Sequence, residues 1–92
     1  MTYLLTILPA AVKVLKKIPE PDRSRIGRKI DRLADTPRPT GVKRLSGQHD
    51  LYRIRVGDYR VLYRIKDDVL EVLVIRIGNR KEIYRLLEKN RD

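Results

Sequence analysis

The chain has 92 residues, 41% hydrophobic and 37% charged, which describes one folded domain over residues 1–92 and excludes a disordered chain. Lys and Arg number 22 against 12 Asp and Glu, for a formal charge of +10, and fourteen of the 22 are arginines, which favour bidentate phosphate recognition. No cysteine and one histidine, His49, exclude a disulfide framework, a thiolate metal site and a histidine-built metal cluster, so no metal and no cofactor are expected.

Thr2 to Leu8 is a short, mostly apolar segment with the character of a strand. The apolar run LLTILPAAV, residues 4–12, has no basic segment before it, contains Pro9 and leads into Lys13, Lys16 and Lys17. It is read as a strand entering a helix, not as a targeting or membrane segment, and the protein is expected in the cytoplasm. Pro9 fits the first turn of a helix, where its missing N–H costs nothing. Ala11, Leu15 and Ile18 recur at helical spacing until Pro19 stops the pattern. Pro21 opens a second helix with Ile26, Ile30 and Leu33 on one stripe and charge elsewhere. TPRPTG, residues 36–41, is a loop.

The second half is a meander. LYRIRVGDYRVLY, residues 51–63, alternates apolar and basic residues around Gly57-Asp58, and Gly57 at the first loop position suits a type II′ turn. Tyr52, Ile54 and Val56 then pair with Tyr63, Val61 and Tyr59 on a face assigned to the helices. On the other face Arg55 sits opposite Arg60, with Arg53 beside them. A second reversal at Lys66 to Asp68, with Asp67-Asp68 as its loop, sets Glu71 opposite Arg64. It also sends Leu73, Ile75 and Ile77 to the arginine face. KEIYRLLEKN, residues 81–90, is a terminal helix whose Ile83, Leu86 and Leu87 are placed to cover part of that face.

Like charges directly opposite each other destabilise a sheet, so the arginine cluster needs a reason. A solvated strand face is the plain alternative. Against it, Arg80 arrives from the end of the neighbouring strand after a Gly-Asn turn, and Tyr84 follows one helical turn later. Several arginines with one tyrosine suit a phosphate gripped beside a base that can stack.

The strand–helix–helix–meander order, with LYRIRVGDYRVLYRI followed by VIRIGNRKEIY, resembles the RelE family within the RelE/ParE toxin superfamily of type II toxin–antitoxin systems. The resemblance spans nearly the whole chain and is most specific from Arg44 to Tyr84. It implies an α+β fold, with an N-terminal strand and helical hairpin packed on an antiparallel meander and a short C-terminal helix. It also implies an mRNA endonuclease of the ribosomal A site that inhibits translation, using the ribose 2′-OH as nucleophile and no metal. By position, the resemblance assigns catalysis to Arg53, Arg55, Arg60, Arg80 and Tyr84 and a backbone contact to Arg44; Lys43, Arg64 and Lys81 join Arg44 as RNA-binding candidates. The implied partners are a cognate antitoxin, the ribosome and mRNA, with no membrane.

Some family members carry lysines where this chain has Arg53 and Arg55. Arginine, with a pKa above about 12, does not give up its proton near neutrality, so the general base is left open among Tyr84, Lys81 and Glu82. His49 in GQHD reads as a loop histidine. Two other functions fit the same residues: a ParE-like, non-enzymatic inhibitor of DNA gyrase, and a nucleic-acid-binding module without catalysis. A toxin that has kept the fold and lost its activity is a third. If the arginines are kept together for a ligand, neutralising Arg55 or Arg60 singly should leave the fold at least as stable.

Overall fold

The computed structural model describes residues 2–45, 47 and 50–89; His49 lies outside them. Its elements are β1 (Leu4–Ile7), α1 (Pro9–Lys17), α2 (Asp22–Arg32), β2 (Lys43–Arg44), β3 (Leu51–Val56), β4 (Tyr59–Lys66), β5 (Glu71–Asn79) and α3 (Arg80–Lys89), with a single 3₁₀ turn, Asp67–Val69, between β4 and β5. The strands form one sheet in the order β1-β5-β4-β3-β2. β3, β4 and β5 are the expected antiparallel meander. β1 joins it parallel to β5, with Leu4 level with Glu71, so the sheet is mixed. Among the described residues no helix is long and apolar enough to cross a membrane.

The two sides of the sheet are covered unequally. α1 and α2 lie on the inner side, where Ala11, Ile18, Ile26, Ile30 and Leu33 pack on Tyr52, Ile54, Val56, Val61 and Tyr63. Pro9 opens α1, and Lys16 and Lys17 in its last turn complement the helix dipole. On the outer side α3 makes a smaller core, with Ile83 buried against Leu51 and Leu62 and with Leu86, Leu87 and Ile75 around it.

β5 passes into α3 without a loop. Asn79 caps the helix by accepting from the Glu82 N–H (2.9 Å), and its own amide donates to the Glu82 carboxylate (2.6 Å). Gly78 permits the tight junction, since a β-carbon there would stand 3.3 Å from Ile83 Cδ1. The Arg80 N–H also donates to Asp58 O (2.8 Å), so the start of α3 is tied to the β3–β4 turn.

Two features of β4 and β5 depart from the sequence reading. The second reversal is longer than Asp67-Asp68, because Leu70 adopts a left-handed conformation (φ 51°) after the 3₁₀ turn. Glu71 consequently faces Lys66, not Arg64, and accepts from Thr6 Oγ1 (3.4 Å). Further along, the register slips by one between Leu62 and Tyr63, leaving Ile75 as an extra residue in β5. An extra residue reverses the facing of everything beyond it. Ile77 therefore lies opposite Val61 in the inner core, while Ile75 stays outside against Leu62.

The 36–41 loop is held by a polar cluster at the other end of the meander. Arg38 lies over the Tyr52 ring (5.1 Å to its centroid), donates to the Tyr52 hydroxyl (3.2 Å) and pairs with Asp67 (2.8 Å). The Tyr3 hydroxyl donates to the same carboxylate (2.7 Å), and the buried Tyr63 hydroxyl donates to Pro37 O (2.7 Å). Arg38 and then Tyr3 hold the Asp67 carboxyl down to about 2, and burial pushes the Tyr63 phenol up.

Candidate functional site

The hairpin geometry places the arginines as its alternation requires. Gly57 has φ 59° and Asp58 does not share the left-handed region, as a type II′ turn demands. Arg55 then faces Arg60 directly, Arg53 faces Leu62, and Lys43 of β2 faces Arg53. These residues line the outer surface at one edge of the sheet.

Arg55 and Arg60 share a rung but not an environment. Arg55 is exposed, whereas Arg60 is 5% exposed, a buried charge whose Nη1 donates to Gly57 O and Tyr59 O, both at 3.0 Å. Those carbonyls give the guanidinium partners inside its own turn, and so relieve the repulsion between the two cations. The expectation of a fold at least as stable is therefore kept for Arg55 alone. Removing Arg60 takes a buried side chain and two hydrogen bonds from the turn.

α3 supplies the aromatic component. Tyr84 is 41% exposed, and the Arg53 guanidinium stands 5.6 Å from its ring centroid. Hydrogen bonding from Arg60, together with the charges of Arg53, Arg60 and Arg80, draws the Tyr84 phenol below its ordinary range. Arg80, at the first position of α3, is exposed and contributes to that field across the turn it is tied to.

A groove of about 450 Å³ joins these groups except Arg80, which stands outside its lining. Lys43, Arg53, Arg55, Arg60 and Tyr84 line it, and Pro39, Thr40 and Gly41 make one wall. The remaining expected residues lie elsewhere. Arg44 faces Tyr52 across the ladder and so points away from Lys43 and Arg53. Arg64 is paired with Asp50 at the opposite end of β4. Lys81 is exposed in the first turn of α3 and does not line the groove. One lining residue was not singled out in the sequence: Lys29, whose helical stripe marks it only as a solvated position.

Fold and site together define a small basic α+β domain with an arginine-rich groove closed on one side by a helix-borne tyrosine. A profile of the family described as "ParE toxin of type II toxin-antitoxin system, parDE" matches residues 5–84. The mRNA interferase toxin RelE of Escherichia coli is 31% identical over 88 residues, which cover 91% of this chain and 92% of that protein. The structure is similar to the archaeal RelE–RelB complex from Pyrococcus horikoshii, with TM-score 0.78 and 33% identity over 87% of this chain and 97% of that one. It is likewise similar to the isolated E. coli RelE toxin, with TM-score 0.74 and 29% identity over 96% of this chain and 97% of that one. The chain belongs to the RelE/ParE superfamily of type II toxin–antitoxin toxins.

Proposed function

We propose that this chain is the toxin of a type II toxin–antitoxin pair and that it cleaves mRNA in the ribosomal A site. The observation that carries the reading is one groove lined by Arg53, Arg55, Arg60 and Tyr84, with the Arg53 guanidinium 5.6 Å from the Tyr84 ring centroid. In the reaction the ribose 2′-oxygen attacks the adjacent phosphorus and the bond to the 5′-oxygen breaks. A 2′,3′-cyclic phosphate and a 5′-hydroxyl result. The 2′-proton passes to a base, and the leaving 5′-oxygen takes up a proton from solvent.

Negative charge accumulates on the phosphoryl oxygens during this step. Arg60, held by the carbonyls of its turn, is a preorganised cation for that charge, and Arg80, whose backbone is anchored at the helix start, supplies a second cation. Arg53 and Arg55 grip the strand. Tyr84 fills the base position left open by arginine at residues 53 and 55, because its cationic neighbours favour the phenolate. The exposed part of its ring offers a surface on which a splayed base stacks.

An antitoxin of acidic and amphipathic character would cover this groove and the partly exposed Leu73 and Ile75. The E. coli and P. horikoshii relatives have been solved with RelB as their antitoxin. Action on ribosome-bound mRNA places the protein in the cytoplasm. The ParE name of the matching profile supports a second reading, inhibition of DNA gyrase without catalysis.

Primer extension on a defined mRNA in ribosomes with an empty A site tests the first reading. The wild type is expected to cut within the A-site codon. Arg80→Ala, at an exposed position that leaves the fold intact, is expected to cut roughly 100- to 1,000-fold more slowly. No cut by the wild type, with or without ribosomes, would refute endonuclease action and make a gyrase supercoiling assay the next experiment.

A further inference from the structure

The groove continues past the arginines and around the edge of the sheet. β2 is two residues long and pairs only with Tyr52 and Arg53, so β3 beyond Arg53 has no neighbouring strand on the side away from β4. Across a two-residue turn Val56 and Tyr59 exchange backbone hydrogen bonds. Alternation then directs the N–H and C=O of Arg55 away from β4, toward the uncovered edge. The bond from Leu45 N–H to Leu51 O (2.9 Å) fixes the same parity, because Leu51, Arg53 and Arg55 turn their backbone groups to one side.

Beyond that edge stands Lys29. It lies on the flank of α2, beside buried Ile30, and lines the same groove as Arg55, Lys43 and Tyr84. On the same helix Arg23 pairs with Glu20 and Arg25 with Asp22, while Lys29 has no ion pair among the described residues. The Pro39-Thr40-Gly41 wall, held through Arg38 and Tyr63, separates this end from solvent on one side.

We propose that Lys29, with Lys43 and the outward N–H of Arg55, forms a second phosphate subsite at the sheet edge, which holds a backbone phosphodiester of single-stranded RNA flanking the one cut at the arginine cluster. The inference rests on the endonuclease reading and deepens it. Lys29 is a positioning residue, since it touches a phosphate that does not react. Its ammonium is a mobile point charge, suited to any phosphate that the strand brings within reach, whatever the base. A strand held at both ends of the groove must bend around β3. That bend turns the intervening ribose and phosphate toward Arg60 and Tyr84, and in-line attack depends on such alignment.

The test uses a short, uncleavable 2′-O-methyl oligoribonucleotide and fluorescence anisotropy over a range of salt. A parallel set of oligonucleotides carries a neutral methylphosphonate at one position at a time. Lys29→Ala is expected to weaken binding several-fold and to lower the log–log salt slope by about 0.7, the contribution of one single-strand phosphate. It should also abolish the penalty of methylphosphonate at one position and no other. Lys29→Arg should restore the slope, and Arg28→Ala, an exposed neighbour outside the groove, should change neither quantity.

An unchanged slope overturns the subsite. So does a loss of affinity that adds to every methylphosphonate penalty alike, and so does the absence of salt-dependent binding by the wild type. Cleavage on programmed ribosomes judges the endonuclease reading separately. Lys29-dependent binding without cutting refutes that reading and leaves the subsite standing. Cutting and binding by Lys29→Ala at wild-type levels does the reverse.

Discussion

Arg60 is exceptional among the cations of the hairpin because the chain has satisfied it before any ligand arrives. Its two carbonyl partners belong to the turn that positions it, so the turn and the guanidinium hold each other. Arg60→Ala is expected to lower the urea midpoint by an amount corresponding to about 1.5–3 kcal/mol, the usual net worth of hydrogen bonds made by a charged group. Arg55→Ala removes only a like charge from the opposite strand and should leave the midpoint unchanged or raise it. Tyr84 separates its two proposed roles in the same manner. Tyr84→Phe keeps the ring and loses the proton-transferring oxygen, so single-turnover cleavage should fall by roughly 100- to 10,000-fold. The phenol is shifted downward, so wild-type cleavage should rise with pH and level off below the range of an ordinary tyrosine. The Phe variant should lack that rise.

At the scale of elements, the loop that walls the groove depends on a carboxylate far from the groove in sequence. Asp67 titrates near 2 because Arg38 and Tyr3 bind its charged form. A group depressed on folding stabilises the native state above its unfolded pKa of about 3.9, and that contribution disappears as pH falls toward the folded value. The wild-type urea midpoint should therefore drop more steeply between pH 4 and pH 2 than that of Asp67→Asn. The hairpin itself was legible from residues 51–63 alone, because period-two alternation and a glycine at the first turn position determine both register and facing. The bulge at Ile75 was not legible. VLEVLVIRI alternates only weakly and carries no glycine or proline before Gly78, so no local signal marks where the register slips. The turn at Leu70 is illegible for the opposite reason, since leucine is among the residues least expected at positive φ. The facing of Arg44 is hidden in the sequence because β2 is too short to show its period, and the place of Lys29 because only the tertiary fold brings α2 to the open edge of β3.

For the molecule as a whole, a charge of +10 on 92 residues leaves a field that reaches beyond any single contact. Association with RNA should weaken steeply with salt. On a single strand, log K should fall against log salt with a slope of about −0.7 for each phosphate neutralised. A slope near zero for the wild type would mean that the basic surface does not engage phosphates. The sheet order gives this field its asymmetry: helices α1 and α2 close one side, and α3 leaves the arginine edge of the other side open.

The parallel pairing of β1 with β5 has a consequence for the order in which the chain becomes active. β1 emerges first during synthesis, yet its hydrogen-bonding partner is the last strand to be made. Until β5 is complete, Leu5 and Ile7 have no strand to dock against, and the inner core lacks Val72, Val74 and Ile77. Arg80 and Tyr84 follow later still. A nascent chain short of residue 84 can therefore carry neither a finished sheet nor a finished groove, so the proposed RNA-cleaving site cannot assemble until Tyr84 has been made.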